Sequence, residues 1–181
     1  AAIAAYAQAP TPANAAALAS AQTAYDTALA DGRSAGTVPT LQITGPTVLD
    51  GSTDARLTIL PGEAAAVRLE GDGAGLTMSN YSGSLGAAIG VTPGAVLDLG
   101  RGKGNTAGYT FSGNSAGDGG AIYSERATVS ITGATFTGNI ATYVGGAIAN
   151  AGGTLAVTDV SFTGNSASSG GAISSSGALA I

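Results

Sequence analysis

One pattern recurs three times in the second half of this chain: a phenylalanine, an asparagine three residues later, and then a Gly-Gly-Ala-Ile segment. The recurring residues are Phe111, Asn114, Gly119 and Gly120, then Phe136, Asn139, Gly145 and Gly146, then Phe162, Asn165, Gly170 and Gly171. The phenylalanines are 25 and 26 residues apart. Self-similarity at a fixed period of this length is the sequence signature of a stacked array of repeats.

A degenerate copy of the pattern lies earlier in the chain. Residues 78–89 match residues 111–122 at a constant offset of 33, with Met78 at the position of Phe111. The longer offset predicts an insertion within the Gly-rich stretch of residues 100–108. The array therefore begins before the first clear copy.

Short β-prone runs with alternating apolar residues fill the chain from Val38 onward, and Gly, Asp, Asn and Ser separate them. In one period, Val129, Ile131 and Phe136 are predicted to point inward, while the intervening threonines point outward. The sequence therefore predicts a parallel β-solenoid in which equivalent residues of successive coils lie about 4.8 Å apart. A Greek-key sandwich is a weaker alternative, because its strands do not repeat such anchors at fixed spacing.

Each anchor has a predicted structural task. Phenylalanine fills the interior of the coil, and the asparagine amide hydrogen-bonds to neighbouring coils at a buried bend. The glycine pair permits a tight bend or a positive φ. The polar spacers between asparagine and glycine are predicted to bulge outward and to need only solubility.

Residues 1–37 form a separate, alanine-rich region in this interpretation, and residues 38–181 form the solenoid. A helix is predicted over residues 11–31, with Thr11 as its N-cap, Pro12 in its first turn and Asp31-Gly32 as its end. Its narrow apolar stripe is that of a packing or capping helix, and partner binding is the alternative.

The composition excludes several classes of function. The chain of 181 residues has a formal net charge of −5, only 9% charged residues, and neither Cys nor His. Nucleic-acid binding is not expected, because it needs clustered Lys and Arg. Without Cys or His, no Ser-His or Cys-His nucleophile is available, and the acids are scattered along the chain. We expect no enzyme activity, no cofactor and no metal, and no apolar run is long enough for a membrane span.

Four weaker motifs have structural and functional interpretations. Residues 50–54, Asp-Gly-Ser-Thr-Asp, resemble the start of a calcium loop but lack its later ligands, so a turn is expected. Residues 100–105 superficially suggest a phosphate loop, and an exposed insertion explains them better. Residues 71–75 fit a flexible turn. Outward threonines in register, such as Thr128 with Thr154 and Thr137 with Thr163, would form hydroxyl rows of the kind used by ice-binding solenoids, although common strand usage also explains them.

The last residues, 177–181, correspond to residues 153–157, which open the preceding coil. We therefore expect either a longer solenoid or a neighbouring copy that covers this edge. The second arrangement would produce head-to-tail filaments, because such a contact does not close on itself.

The combination of Phe-x-x-Asn with Gly-Gly-Ala-Ile resembles the repeats of chlamydial polymorphic outer-membrane proteins and of related autotransporter-like passengers. The clear resemblance covers residues 111–173. It implies a right-handed parallel β-helix on the cell surface, often adhesive, with structural motifs and no catalytic residues.

Three functions follow as hypotheses. The first is a non-enzymatic, secreted or surface-displayed β-helix with a structural or adhesive role, whose partners are further coils and host or cell-surface ligands. The second is a subunit of an extracellular filament that stacks through its exposed ends. The third, a carbohydrate-active enzyme, would require carboxylates that converge on one face.

Overall fold

The computed structural model describes residues 40–43, 45–60, 64–69, 73–101 and 107–181, and the helix predicted over residues 11–31 lies outside them. Within these ranges all regular structure is β-strand, and every strand pairing is parallel. The prediction of an all-β chain with parallel strands is confirmed for this part.

Sixteen strands lie in the described ranges. They are β1 (Thr40–Ile43), β2 (Pro46–Asp50), β3 (Leu57–Ile59), β4 (Ala64–Leu69), β5 (Gly75–Ser79), β6 (Ile89–Val91), β7 (Val96–Arg101), β8 (Tyr109–Ser112), β9 (Ser115–Asp118), β10 (Ile122–Thr132), β11 (Ala134–Thr137), β12 (Ile140–Val144), β13 (Ile148–Thr158), β14 (Ser161–Thr163), β15 (Ile173–Ser175) and β16 (Ala178–Ala180). The β-prone runs noted in the sequence all fall on strands.

The strands form three sheets. The first has nine strands and the path β1-β4-β7-β10-β13-β15, with β3 and β6 alongside and β16 on β13. The second has five strands in the order β14-β11-β8-β5-β2, and the third pairs β12 with β9. Strands thus pair with their equivalents in neighbouring repeats. In the third sheet only β9 and β12 are strands among the described residues, and isolated bridges connect them to the repeats on either side.

The register follows the sequence period. Val129 pairs with Leu155, Ile131 with Val157 and Phe136 with Phe162. These inward positions are buried, apart from Phe162, while Thr128, Thr135 and Thr137 are exposed. The period-two alternation therefore predicted which face of each strand is buried.

The predicted insertion also has its place. Leu99 pairs with Ile131, and Tyr109 pairs with Ala134. Ala134 follows Ile131 by three positions, whereas Tyr109 follows Leu99 by ten, so the extra residues lie between β7 and β8. Beyond them, Met78 pairs with Phe111 as the degenerate copy predicts.

The array extends further toward the N-terminus than the repeat copies found in the sequence, within the range 38–181 predicted for the solenoid. Strand β2 pairs with β5 at an offset of 29, Pro46 with Gly75, and β3 pairs with β6 at an offset of 32, Leu57 with Ile89. This segment has neither the phenylalanine nor the asparagine, so the repeat search did not detect it. In the described ranges, no helix is present that is long and apolar enough to span a membrane.

Candidate functional site

The three phenylalanines form one continuous column inside the stack. The rings of Phe111 and Phe136 have centroids 4.7 Å apart and planes 8° apart, and those of Phe136 and Phe162 are 5.2 Å and 12° apart. Phe111 and Phe136 are fully buried, and Met78 continues the column below them. The parallel register fixes this stacking, because each ring sits one inter-strand spacing from the next.

The three asparagines form a hydrogen-bonded ladder beside that column. Oδ1 of Asn139 accepts from the backbone N–H of Asn114 at 3.1 Å and from its Nδ2 at 2.9 Å. Nδ2 of Asn139 donates to Oδ1 of Asn165 at 2.9 Å and to the carbonyl oxygen of Phe111 at 3.0 Å. Asn139 is fully buried, and its amide uses both protons and both acceptor sites. The ladder thus satisfies backbone groups of the bend that would otherwise lack partners.

Tyr81 ends the ladder on its N-terminal side, at the position equivalent to Asn114. Its backbone N–H donates to Oδ1 of Asn114 at 3.0 Å, so the last amide oxygen keeps a partner. The Tyr81 hydroxyl donates to the carbonyl oxygen of Ala55 at 3.1 Å. Burial, followed by the nearby Asp54 and Asp50, raises the pKa of Tyr81 well above its usual value. This side chain anchors the turn below it, a task that an amide at position 81 would not perform.

The two glycines of each pair have different tasks. The first of each pair, Gly119, Gly145 or Gly170, has φ near +61°. The second has no positive φ, but a Cβ on Gly120 would press against the carbonyl oxygen of Gly146 in the next repeat. The first position therefore needs glycine for its backbone conformation, and Gly120 is needed for close approach between repeats.

A second polar ladder lies after the Gly-Gly-Ala-Ile segment. The hydroxyl of Ser124 donates to Oδ1 of Asn150 at 3.0 Å, and Nδ2 of Asn150 donates to Oγ of Ser175 at 2.9 Å. Ser124 and Asn150 are buried. Sequence reasoning missed this ladder, although a polar residue two positions after the isoleucine recurs in all three copies.

The prediction that the spacers are unconstrained loops is wrong. They pair as β9 and β12, with isolated parallel bridges to Ser82, Leu85, Ser166 and Ser169 on either side. Ala116 and Ala141 pair with each other and are buried. An alanine two residues after the ladder asparagine recurs in all three copies, because the third sheet needs a small inward side chain there. The alternation Asn-x-Ala was the available signal.

The hydroxyl rows extend over more repeats than the sequence indicated. On the outward face of the five-stranded sheet, Thr77, Thr110, Thr135 and Ser161 are in register, and so are Ser79, Ser112, Thr137 and Thr163. Phenylalanines or Met78 lie between the two rows on the inward face. This surface is polar and carries no charged group across these four strands.

The acidic residues have local structural roles in several places. Asp50 and Asp54 close a turn, in which Ser52 N–H donates to Asp50 Oδ1 at 3.0 Å and Asp50 N–H donates to Asp54 Oδ2 at 2.8 Å. The bond from Ser52 lowers the pKa of Asp50. Asp98 pairs with Arg68. Among the described residues, no group of three or more His, Cys, Asp and Glu is arranged to hold a metal.

Two of the weaker motifs are only partly described. In the stretch of residues 71–75, Gly73 has φ of +76°, which fits the predicted turn. Residues 102–106 of the predicted insertion lie outside the described ranges, so the phosphate-loop alternative has no structural test.

Comparison with known proteins identifies the repeat. Residues 108–125, 133–151 and 159–176 match the family model of the Chlamydia polymorphic membrane protein repeat. These consecutive segments contain all twelve predicted anchors and together cover less than a third of the chain. No curated protein and no solved structure matches the chain significantly. The resemblance expected from the sequence is thus confirmed at the level of the repeat.

Proposed function

We propose that this chain, which carries three Chlamydia polymorphic membrane protein repeats, is part of a right-handed parallel β-helix displayed on a bacterial outer-membrane surface. Its role is structural and adhesive and does not include catalysis. The repeat family is one of outer-membrane, autotransporter-like proteins, which supports the location. The observation that carries the proposal is the in-register stacking of equivalent phenylalanine and asparagine side chains.

The sheet topology supports a β-helix. Two successive repeats, β8 to β10 and β11 to β13, each supply one strand to each of the three parallel sheets, which is the path of a coil. Crossover connections between parallel strands of one sheet are right-handed in the great majority of proteins. A coil of this kind makes a long, narrow body with an interior of stacked side chains, which suits an extended surface structure.

The hydrogen bonds of the described polar residues support a non-catalytic role. The side chains of the buried polar residues Asn114, Asn139, Asn150 and Ser124 hydrogen-bond to neighbouring repeats. They are therefore occupied in holding the stack. The carboxyl groups of Asp50 and Asp98 are likewise bound to neighbouring groups of the chain.

Surface display is tested by labelling intact producing cells with an antibody raised against the 181-residue chain. The proposal predicts labelling of intact cells and loss of the signal after mild external protease. Labelling that appears only after the cells are permeabilised would reject the outer-surface location. Adhesion is then measured with beads that carry the chain, and beads coated with a denatured sample serve as the control.

A head-to-tail filament is the second candidate, favoured by the edge at the last described strands. Strands β14, β15 and β16 each have a neighbour on one side, and Leu179 and Ile181 are exposed beside them. Such an edge accepts either further repeats of the same chain or a second copy. Sedimentation of the chain over a range of concentrations separates the two: growing particles support filaments, and a constant monomer mass rejects them.

A further inference from the structure

The third sheet carries an exposed apolar cluster that stacking of the repeats does not cover. Tyr143 is 63% exposed, Ile140 is 54% exposed and Leu85 is 39% exposed. All three belong to this sheet or to its bridges, whereas Leu179 and Ile181 lie at the edge of the stack. Large apolar side chains grouped on one outward face mark an interaction surface more often than scattered ones do.

A one-residue bulge places Tyr143 on this face. Six positions separate Asn139 from Gly145, whereas five separate the equivalent residues in the other two copies. The register accordingly shifts between Ala141 and Val144, and both residues between them, Thr142 and Tyr143, are exposed. Bulges of this kind re-aim side chains and are frequent beside functional sites. The stack itself does not require the extra residue, because its neighbours are built without it.

The ring of Tyr143 leans over the preceding repeat. Its Cε2 atom lies 3.7 Å from the position that a Cβ atom on Gly117 would occupy. A Cβ there would make only ordinary contact with the ring, whereas it would clash with the carbonyl oxygen of Ser84, 2.6 Å away. Ser84 and Ser168 are the small residues of the same column in the flanking repeats. A tyrosine supported from below by backbone, with more than half of its surface exposed, offers one aromatic face to a ligand.

The surroundings of the ring are polar groups that bind hydroxyls. Asp118 follows Gly117 and pairs with Val144, and Ser115 pairs with Ile140. At the N-terminal side, the guanidinium of Arg56 is half-buried and donates to the carbonyl oxygen of Leu85 at 2.8 Å. The strands and bridges of this sheet contain no Lys or Arg of their own. One acidic residue next to Gly117, one cation at the edge and several serines together match a neutral, hydroxyl-rich partner better than a charged one.

We propose that the Tyr143 face binds neutral oligosaccharides on the surface of a facing cell. The apolar C–H face of a sugar ring stacks on Tyr143, and Asp118 accepts hydrogen bonds from sugar hydroxyls, which are stronger to a carboxylate than to a neutral acceptor. A protein partner would need roughly 800 Å² of complementary surface, whereas one sugar ring is covered by a single aromatic side chain. This inference rests on the proposed adhesive role and supplies its ligand class.

The test is an NMR titration of the 181-residue chain with neutral hexasaccharides of glucose, mannose and N-acetylglucosamine. At least one of them is expected to shift the backbone amide signals of Gly117, Asp118 and Tyr143. Tyr143→Phe keeps the ring and should bind like wild type, whereas Tyr143→Ala should bind at least about tenfold more weakly. Thr135→Ala, on the five-stranded sheet, is the matched control and should leave binding unchanged.

Deletion of Tyr143 is the second variant, because it restores the spacer length of the other two copies. It should fold as wild type does by circular dichroism and should lose the sugar-induced shifts. The inference is overturned if no hexasaccharide shifts these amides, or if Tyr143→Ala and the deletion variant bind as tightly as wild type. Such a result would leave the antibody labelling of intact cells unaffected, so the two proposals fail separately.

Discussion

Residues 107–181 and residues 40–101 build the same two larger sheets from sequences of very different regularity. In the C-terminal part, paired strands are offset by 24 to 26 residues, and the phenylalanine and asparagine anchors meet their own residue type. In the N-terminal part the offsets range from 26 to 33, and Met78 and Tyr81 occupy the phenylalanine and asparagine positions. Stacking therefore requires only that inward positions pair with inward positions and outward with outward. Where the paired residues are also identical, they form the aromatic column and the amide ladder as well.

The largest expected effect is at the centre of the regular part. Phe136→Ala removes a fully buried ring that stacks on two others, and we expect it to lower the free energy of unfolding by about 4 kcal/mol. Met78→Ala, in the same column of the irregular part, should cost about 3 kcal/mol, because the lost side chain is smaller. Urea denaturation followed by circular dichroism measures both. A larger loss for Met78→Ala would contradict the comparison.

The amide ladder comes next. Asn139→Ala deprives the backbone and Nδ2 of Asn114 of their acceptor and the carbonyl of Phe111 of its donor, at a cost of about 3 kcal/mol. Ser168→Ala removes an exposed hydroxyl that bonds to Thr142, and it should cost below about 0.5 kcal/mol. Equal melting temperatures for the two variants would show that the ladder contributes no stability.

Two glycine substitutions distinguish the need for close contact between repeats from the need for a positive φ. Gly120→Ala forces a Cβ against the backbone of the next repeat, and we expect a loss of about 2 to 3 kcal/mol. Gly138 has φ of +62° and open space around it, so Gly138→Ala should cost only about 1 kcal/mol. Thermal unfolding of the pair is the measurement. The reverse order would mean that the repeats have room at Gly120.

A substitution at Tyr81 tests whether asparagine, the residue of the regular repeats, would stabilise the irregular part. Tyr81→Asn restores the ladder residue but removes a buried ring and its bond to Ala55, and we expect a loss of about 2 kcal/mol. Urea midpoints of this variant and of Tyr81→Phe compare the ring with the hydroxyl. A stabilised Tyr81→Asn chain would show that the consensus governs both parts equally.

The smallest effect is a dependence on alkaline pH. Burial raises the pKa of Tyr81 in the folded chain above its unfolded value of about 10. The neutral phenol therefore contributes stability below pH about 10, and that contribution is lost as the pH rises toward the folded pKa. Unfolding midpoints measured across this range should fall more steeply for wild type than for Tyr81→Phe. Identical slopes would exclude Tyr81 as the source.

The sequence predicted the regular part well, because its fixed period and its alternation act together. The offset of 33 located the pairing of Met78 with Phe111 even though the side chains differ. The pairing register of strands β1 to β3 escaped prediction because neither anchor occurs there, and their irregular offsets depend on turn lengths that no periodicity encodes.

Of the candidate site, only the residues inside the stack were predicted from the sequence. The phenylalanine and asparagine positions were read from their spacing. The third sheet was missed because its strands are short and share little sequence, Ser-Ala-Gly-Asp in β9 and Ile-Ala-Thr-Tyr-Val in β12. The role of Tyr81 depends on the distant carbonyl of Ala55, and the ring of Tyr143 lies beside Gly117 in the preceding repeat. Such contacts are set by the stacking register and not by local sequence.

The central claim is that successive repeats lie on one another along a common axis at a constant spacing. Because the chain has no Cys, spin labels can be attached at chosen outward positions, one at Thr163 and the other at Ser112, Ser79 or Asp50. These positions are two, three and four strands from Thr163 in the five-stranded sheet. The account predicts backbone separations of about 10, 14 and 19 Å, which rise in equal steps. Label distances from electron spin resonance that do not rise in this order would contradict it.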